Sequence, residues 1–279
     1  MKNIYLLTVL TFSCLLVFGC GGNSMKNQDF SELKNIPQQK WIELTNKKIY
    51  FGHQSVGFNI IKGMNSIMKE LPDIKLDIQE TKDLNSFSKP IFAHSPVGEN
   101  EVPSSKIYDF RTTIETGIGD SVDIAFFKFC YIDIMADTDV EQVFNIYKEV
   151  LTNLVKKYSN VTFVHVTAPV RTVQAPGPKT WIKKILGKPL GGYEDNIKRN
   201  QFNEMLKKAY QGKEPIFDLA AAESTFSNGN RKTFQSNGKT YYSLIPEYTD
   251  DGGHLNDLGQ KFVAEKFLVF LANLSTLTK

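Results

Sequence analysis

Short apolar runs and helical apolar stripes alternate along the chain from Lys48 onward. Lys48-Ile49-Tyr50-Phe51 is short, apolar and β-prone, which predicts a strand that opens a buried sheet. From Val56 the period changes: Val56, Ile60, Ile61, Met64, Ile67, Met68 and Leu71 fall on one helical face. Gly52-His53-Gln54-Ser55 lies between them as a tight turn, so Ser55 is expected at the carboxyl end of a strand and the start of a helix. A hydroxyl there is either an N-cap or a group in the crevice where open α/β sheets place their chemistry.

The same alternation continues. Ile74 to Ile78 alternates as a half-exposed strand, and Phe92 to Asn100 reads as a loop closed by Pro103-Ser104-Ser105. Ile107, Phe110 and Ile114 mark a short helix ending near Gly117 and Gly119, and Val122 to Phe127 is a continuous run suited to a central parallel strand. A second amphipathic helix carries Val140, Val143, Phe144, Tyr147, Leu151, Leu154 and Val155, with capping-box spacing at Thr138 and Glu141. Val161 to Val166 is a strand whose His165 is read as a core residue. Residues 170 to 192 are rich in Pro, Gly and Lys. So long an interruption caps a site or moves, and its cations either attract an anionic polymer or lipid headgroups or form a solvated face. A helix over Asp195–Tyr210, a strand over Ile216–Leu219, a hairpin turning at Asn237-Gly238 and a helix carrying Leu258, Phe262, Val263, Phe267, Phe270 and Leu271 complete the pattern. It predicts one α/β domain over residues 40–279, with a mainly parallel sheet between helical layers.

Composition adds little to that picture. With 279 residues, 41% hydrophobic and 23% charged, the chain is an ordinary globular one, and its net charge of +3 gives no case for nucleic acid. The first twenty residues change the picture more. Ile4 to Phe18 is apolar, short for a bilayer span and shaped like a secretory h-region; the alternative is an uncleaved membrane anchor. Val17-Phe18-Gly19-Cys20 resembles the cleavage box of bacterial lipoproteins, in which the Cys is lipidated. Residues 1–19 are therefore expected to be a signal peptide, Cys20 the lipidated residue, and 20–39 a flexible tether. The resemblance implies a membrane-anchored lipoprotein of the bacterial cell envelope, periplasmic or surface-facing. Cys130 is the one thiol left over, so no internal disulfide is expected.

Candidate chemistry gathers before the last helix, in Tyr248-Thr249-Asp250-Asp251-Gly252-Gly253-His254. A carboxylate three residues before a His lets one turn present both side chains, and the Asp can hold one ring nitrogen while the other faces a nucleophile. A serine hydroxyl needs such a base before it attacks an acyl group. A Ser turn after the first strand, a late Asp-x-x-His and an α/β pattern between them resemble the SGNH/GDSL hydrolase superfamily from about Lys48 to Leu274. The resemblance implies a flavodoxin-like three-layer fold and ester hydrolysis, with Ser55 as nucleophile, His254 as base and Asp251 as carboxylate. Asp250 is the competing neighbour.

The chain also departs from the family. Gly-Asp-Ser is replaced by Gly-His-Gln-Ser. Along the third block, Cys130 and Ile132 stand where the family has Gly and the oxyanion-binding Asn, and Ile cannot donate a hydrogen bond. The substitutes expected are Asn100 with the Gly98 backbone. His53 is expected to donate or to bind substrate, and Lys128 to stabilise negative charge. His94 is read as an exposed loop residue. No two His have a spacing such as His-x-x-x-His, so neither metal nor cofactor is expected. The substrate class implied is a small-molecule or glycan ester. A glycan-binding module that keeps the fold without turnover is the alternative, and neither involves nucleic acid.

Overall fold

The computed structural model describes residues 30–174, 177–186 and 191–274. The signal-peptide region, Cys20 and the start of the tether therefore lie outside the described residues. From Phe30 the chain is already packed, against the expectation of a free tether to residue 39. Helices α1 (Ser31–Lys34) and α2 (Gln38–Thr45) bury Leu33, Trp41 and Leu44. Their apolar residues are too few to show a period, but each finds the last helix or the sheet to cover it.

The centre of the molecule is a six-stranded sheet made from β1 (Lys48–His53), β2 (Ile78–Glu80), β3 (Ile91–Pro96), β4 (Ile124–Phe127), β5 (Thr162–Val166) and β6 (Ile216–Phe217). Every pairing in it is parallel and the order is β2-β3-β1-β4-β5-β6. From β1 the chain goes to the far edge at β2, fills in β3 beside β1, then crosses over to add β4, β5 and β6 in turn on the other side. The carboxyl end of β1, between β3 and β4, is thus the crevice that a parallel sheet offers to a ligand.

Alternate residues of each strand serve opposite layers, as the period of two requires. Ile49 and Phe51 of β1 join Phe126 and Val164 under α3 (Val56–Glu70) and α9 (Asp257–Leu274). Tyr50, Ala125 and Phe127 face α4 (Pro103–Glu115), α5 (Val140–Lys157) and α7 (Tyr193–Tyr210). This is the three-layer α/β fold that the strand and helix periods predict. Also described are α6 (Pro178–Ile185), α8 (Leu219–Ser224) and an antiparallel hairpin of β7 (Thr233–Ser236) and β8 (Lys239–Tyr242).

Four local expectations are corrected. The strand expected at Ile74–Ile78 begins at Ile78, and Ile74 is buried ahead of it. The loop expected from Phe92 contains β3, because its polar residues have buried partners: Ser95 bonds the Tyr50 hydroxyl at 2.7 Å, and His94 bonds His53. The cap of α5 is Asp139, which accepts the Gln142 N–H, whereas Thr138 accepts the Met135 N–H. Strand β6 stops at Phe217 because Asp218 caps α8 by accepting the Ala221 N–H.

Helices α3 and α9 approach closely at Gly63. A Cβ there would lie 2.2 Å from the Gln260 carbonyl oxygen and 2.7 Å from the Ala264 Cβ. Small residues on both helices let the backbones meet, and α3 starts at Ser55 while α9 follows His254. Ala is the better helix former by about 1 kcal/mol. Gly63→Ala is nonetheless expected to destabilise the protein by about 1–3 kcal/mol, the usual range for overpacking. A denaturant midpoint that is unchanged or raised would mean the helices do not meet there.

Glu223 of α8 is fully buried. Its Oε2 accepts the Val170 N–H at 2.7 Å, and among the described residues its Oε1 has no hydrogen-bond partner. Burial pushes its carboxyl from 4.5 up to about 8, against the Val170 N–H and the charges of Lys128 and Arg199. Between those two values the folded chain holds a proton that the unfolded chain has released, so stability falls as pH rises through the window. Glu223→Gln is expected to remove that fall, and melting temperatures of the two proteins compared across pH 4.5 to 8 test it. Parallel curves for the two proteins would refute the assignment.

Candidate active site

Strand β1 delivers Ser55 to the carboxyl edge of the sheet, next to α3. Its backbone has φ 52° and ψ −113°, a left-handed conformation that costs a residue with a Cβ. Its neighbours hold it there. Gln54 donates to the carbonyls of Val97 and Gly98 at 2.9 and 2.6 Å, and the N–H groups of Gly57 and Phe58 close onto Gln54 and Ser55. Among the described residues, no hydrogen bond engages the N–H of Ser55 or of Val56, the first amides of α3. They point along a helix N-terminus, where partial positive charge collects.

His53 lies beneath this turn, fully buried, with Nε2 3.1 Å from His94 Nδ1. A Cβ at residue 57 would fall 2.3–2.5 Å from the imidazole, so only glycine lets α3 begin on top of it. Burial, then the charges of Lys128 and His94, depress its pKa to about 2, and the ring is neutral at any ordinary pH. The expectation that His53 touches substrate is therefore corrected to a packing position under the nucleophile turn. His94, read as exposed, is buried beside it, and burial lowers its pKa too.

The second part of the site is the turn from Thr249 to Leu255, closed by an antiparallel bridge between those two residues. Asp251 Oδ1 accepts the N–H groups of Gly253 and His254 at 2.8 Å each, and Oδ2 meets His254 Nδ1 at 2.6 Å. Partial burial raises the Asp251 pKa, but the hydrogen bonds from the imidazole and both amides outweigh it and hold the carboxyl well below its usual range. With Nδ1 committed to Asp251, Nε2 is left as the basic nitrogen. Asp250 instead meets the Asn256 amide at 3.3 Å, so the competition between neighbouring carboxylates falls to Asp251.

Three residues that sequence reasoning missed hold this turn in place. The Leu255 N–H donates to Asn59 Oδ1 at 3.1 Å, mooring the His254 turn to α3 one helical turn beyond Ser55. Tyr131 presents its hydroxyl 3.4 Å from both imidazole nitrogens and sets its ring edge against His254. Arg171 donates to the Gly252 and Asp251 carbonyls and lies over the Tyr131 ring, 4.9 Å from its centroid. Buried polar side chains of α7 fix both supports: Asn196 bonds the Arg171 backbone on both sides, and Arg199 donates to the Tyr131 carbonyl. The only sequence signal was the three Asn residues, Asn196, Asn200 and Asn203, on that helix.

Ser55 and His254 reach the same edge of the fold, joined through Asn59, and no hydrogen bond runs between them in this structure. The oxyanion expectations fare differently. The Gly98 N–H is committed to Asp109 Oδ2 at 2.7 Å, which corrects its expected role. Asn100 is exposed and gives its Oδ1 to Lys106 Nζ at 2.8 Å, which turns its amide nitrogen away from that cation. Lys106 pairs with Asp133 at 2.8 Å with both side chains fully buried, and Asp133 in turn accepts the N–H groups of Glu101 and Cys130. Lys128 is fully buried on the Phe129 carbonyl and the Cys130 thiol, so the expectation that it stabilises substrate charge is corrected to support of the loop after β4. Among the described residues, no three His, Cys, Asp or Glu side chains are arranged to hold a metal.

No protein-family model matches the chain, and no curated protein matches it. Solved structures similar to it include three of related kinds. A member of the lipolytic protein G-D-S-L family from Veillonella parvula is 16% identical with a TM-score of 0.41, covering 79% of this chain and 94% of that one. The periplasmic domain of a lipopolysaccharide acetyltransferase from Salmonella ser. Paratyphi A is 12% identical with a TM-score of 0.43, over 86% and 87% of the two chains. An acetyl esterase mutant with acetate ion is 12% identical with a TM-score of 0.44, over 83% and 98%.

Proposed function

We propose that this chain is a serine hydrolase that cleaves a carboxylic ester through an acyl-enzyme. The observation that carries the reading is the Asp251–His254 pair, held at 2.6 Å on a turn tied to the helix that Ser55 begins. In the proposed reaction His254 Nε2 takes the Ser55 proton as Oγ attacks the ester carbonyl, and Asp251 holds the imidazolium that forms. Collapse of the tetrahedral intermediate passes that proton to the leaving alcohol. A water, deprotonated by the same nitrogen, then attacks the acyl group and releases the acid with Ser55 restored. The free N–H groups of Ser55 and Val56 are the proposed oxyanion donors, with the Asn100 amide as the side-chain donor. They take the place of the Gly98 amide and of the Asn that Ile132 replaces. Catalytic hydrogen bonds commonly tighten only with substrate, which fits an unjoined Ser55 and His254 in the resting chain.

The substrate proposed is an O-acyl ester whose alcohol part is a glycan, on the ground that a lipid anchor at Cys20 would hold the site at the cell envelope. The committed Gly98 amide favours a second reading, a glycan-binding module without turnover.

A fluorophosphonate probe separates the two. The hydrolase reading expects labelling of the folded protein that disappears in Ser55→Ala, and loss of ester hydrolysis in a folded His254→Ala. Asn100→Ala is expected to lower turnover by about 10²–10³. Folded protein that never labels supports the binder, and full activity in His254→Ala ends the triad.

The strain at residue 55 has its own test. Ser55→Gly is expected to be more stable than Ser55→Ala by about 1 kcal/mol or more, because only glycine adopts that backbone freely. Equal melting temperatures would mean that Ser55 is not strained.

A further inference from the structure

We infer that α6 is a membrane-surface helix, which lays Trp181, Ile182, Ile185 and Leu186 into a layer of anionic phospholipid. These four side chains are 66%, 50%, 63% and 59% exposed. They are four of the ten large hydrophobic side chains exposed among the described residues, and the other six are spread over five different segments. Scattered apolar residues are normal on a protein surface, but a contiguous group marks a surface that something covers.

The helix is inside out for a water-soluble protein. At about 100° per residue, the four apolar positions fall within an arc of about 140°. That arc faces outward, while Lys183 on the other side is half-buried and donates to Gln174 Oε1 at 3.1 Å. A helix that packs on its own core turns its apolar stripe inward, and this one turns its cation inward instead.

Charge identifies the occupant. From Arg171 to Tyr193 the chain carries Arg171, Lys179, Lys183, Lys184 and Lys188 and no carboxylate. An apolar arc with Trp and aliphatic residues, in a stretch of chain that carries lysines and no acids, matches the interfacial helix that lies in the headgroup plane of an anionic bilayer. No described helix is long and apolar enough to cross a membrane, so α6 would lie along the surface. The excursion is closed at its base, where the Gln174 N–H donates to the Gly191 carbonyl at 3.0 Å. It leaves the body of the fold two residues after Thr172, whose N–H donates to the Gly252 carbonyl. A docked α6 therefore holds the His254 turn beside the lipid surface. The inference stands whether or not the chain is a hydrolase.

Tryptophan fluorescence tests it locally, whatever else holds the protein to the vesicle. The chain has two tryptophans, and Trp41 is only 4% exposed. The full chain is mixed with vesicles of phosphatidylglycerol or of phosphatidylcholine, each carrying brominated acyl chains as quencher. Quenching is expected with phosphatidylglycerol and not with phosphatidylcholine. It should disappear in Trp181→Phe, weaken in Ile185→Asp and in Lys179→Glu/Lys184→Glu, and fall as salt is added. All four positions lie on a surface helix, and unchanged Trp41 emission confirms that each variant is folded. Equal quenching in both lipids overturns the anionic surface. No quenching in either, with the protein bound to the vesicles, overturns the docking. A shift of Trp181 emission with protein concentration and without lipid assigns the face to a second copy and overturns it as well.

Discussion

The contact between α3 and α9 is what brings the two ends of this chain to the same edge of the fold. Ser55 and His254 are separated by nearly the whole fold in sequence, and no hydrogen bond joins them. Their helices meet directly, backbone against backbone at Gly63, with Gln260 and Ala264 on the facing side. Close-packed interiors move as rigid pieces, so fixing one helix on the other fixes the starting point of α3 relative to the turn that precedes α9. The Asn59–Leu255 hydrogen bond then sets the register locally. Everything proposed about proton transfer presupposes that rigid pair.

Beneath the site the structure spends buried polar groups on position. His53, His94, Lys106, Lys128, Asp133 and Glu223 are all buried at the carboxyl side of the sheet or against the loops that follow it. Burying such groups is costly unless they are paired, and most here are paired, either with one another or with a backbone amide or carbonyl of those loops. The strained φ of Ser55 is held in the same way, by Gln54 reaching across to Val97 and Gly98. Polar partners fix direction where hydrophobic contact fixes only proximity. This accounts for a Gly-His-Gln-Ser turn: His supports α3 from below and Gln ties the turn sideways.

The layers, the parallel sheet and the Asp-x-x-His turn were legible in the sequence because each follows from a local rule. Period separates β1 from α3, and a turn of four residues brings Asp251 to His254 without help from the rest of the chain. What was not legible depended on a partner far away. His94 looked like a surface residue and His53 like a substrate contact, because nothing near them in sequence shows that they bury one another. Gly98 looked like a free amide until Asp109, eleven residues on, turned out to occupy it. Strand β3 was hidden because His94 and Ser95 interrupt its apolar run, and they are tolerated only through His53 and Tyr50. Tyr131 and Arg171 belong to no motif, and it takes α7 to aim them at the His254 turn.

The segment after β5 joins these threads. Its first residues are held by the fold: Val170 by Glu223, Arg171 by Asn196, and Thr172 by Gly252. In turn they grip the two carbonyls of the Asp251–Gly252 peptide units through Arg171, so the orientation of the His254 imidazole depends on where this segment lies. Only two residues later the chain departs for α6, whose apolar face turns away from the protein. A force on α6 is therefore applied to a connection that both holds the His254 turn and leaves the globule. Whatever covers α6 acts on the same stretch of backbone that decides how near His254 stands to Ser55.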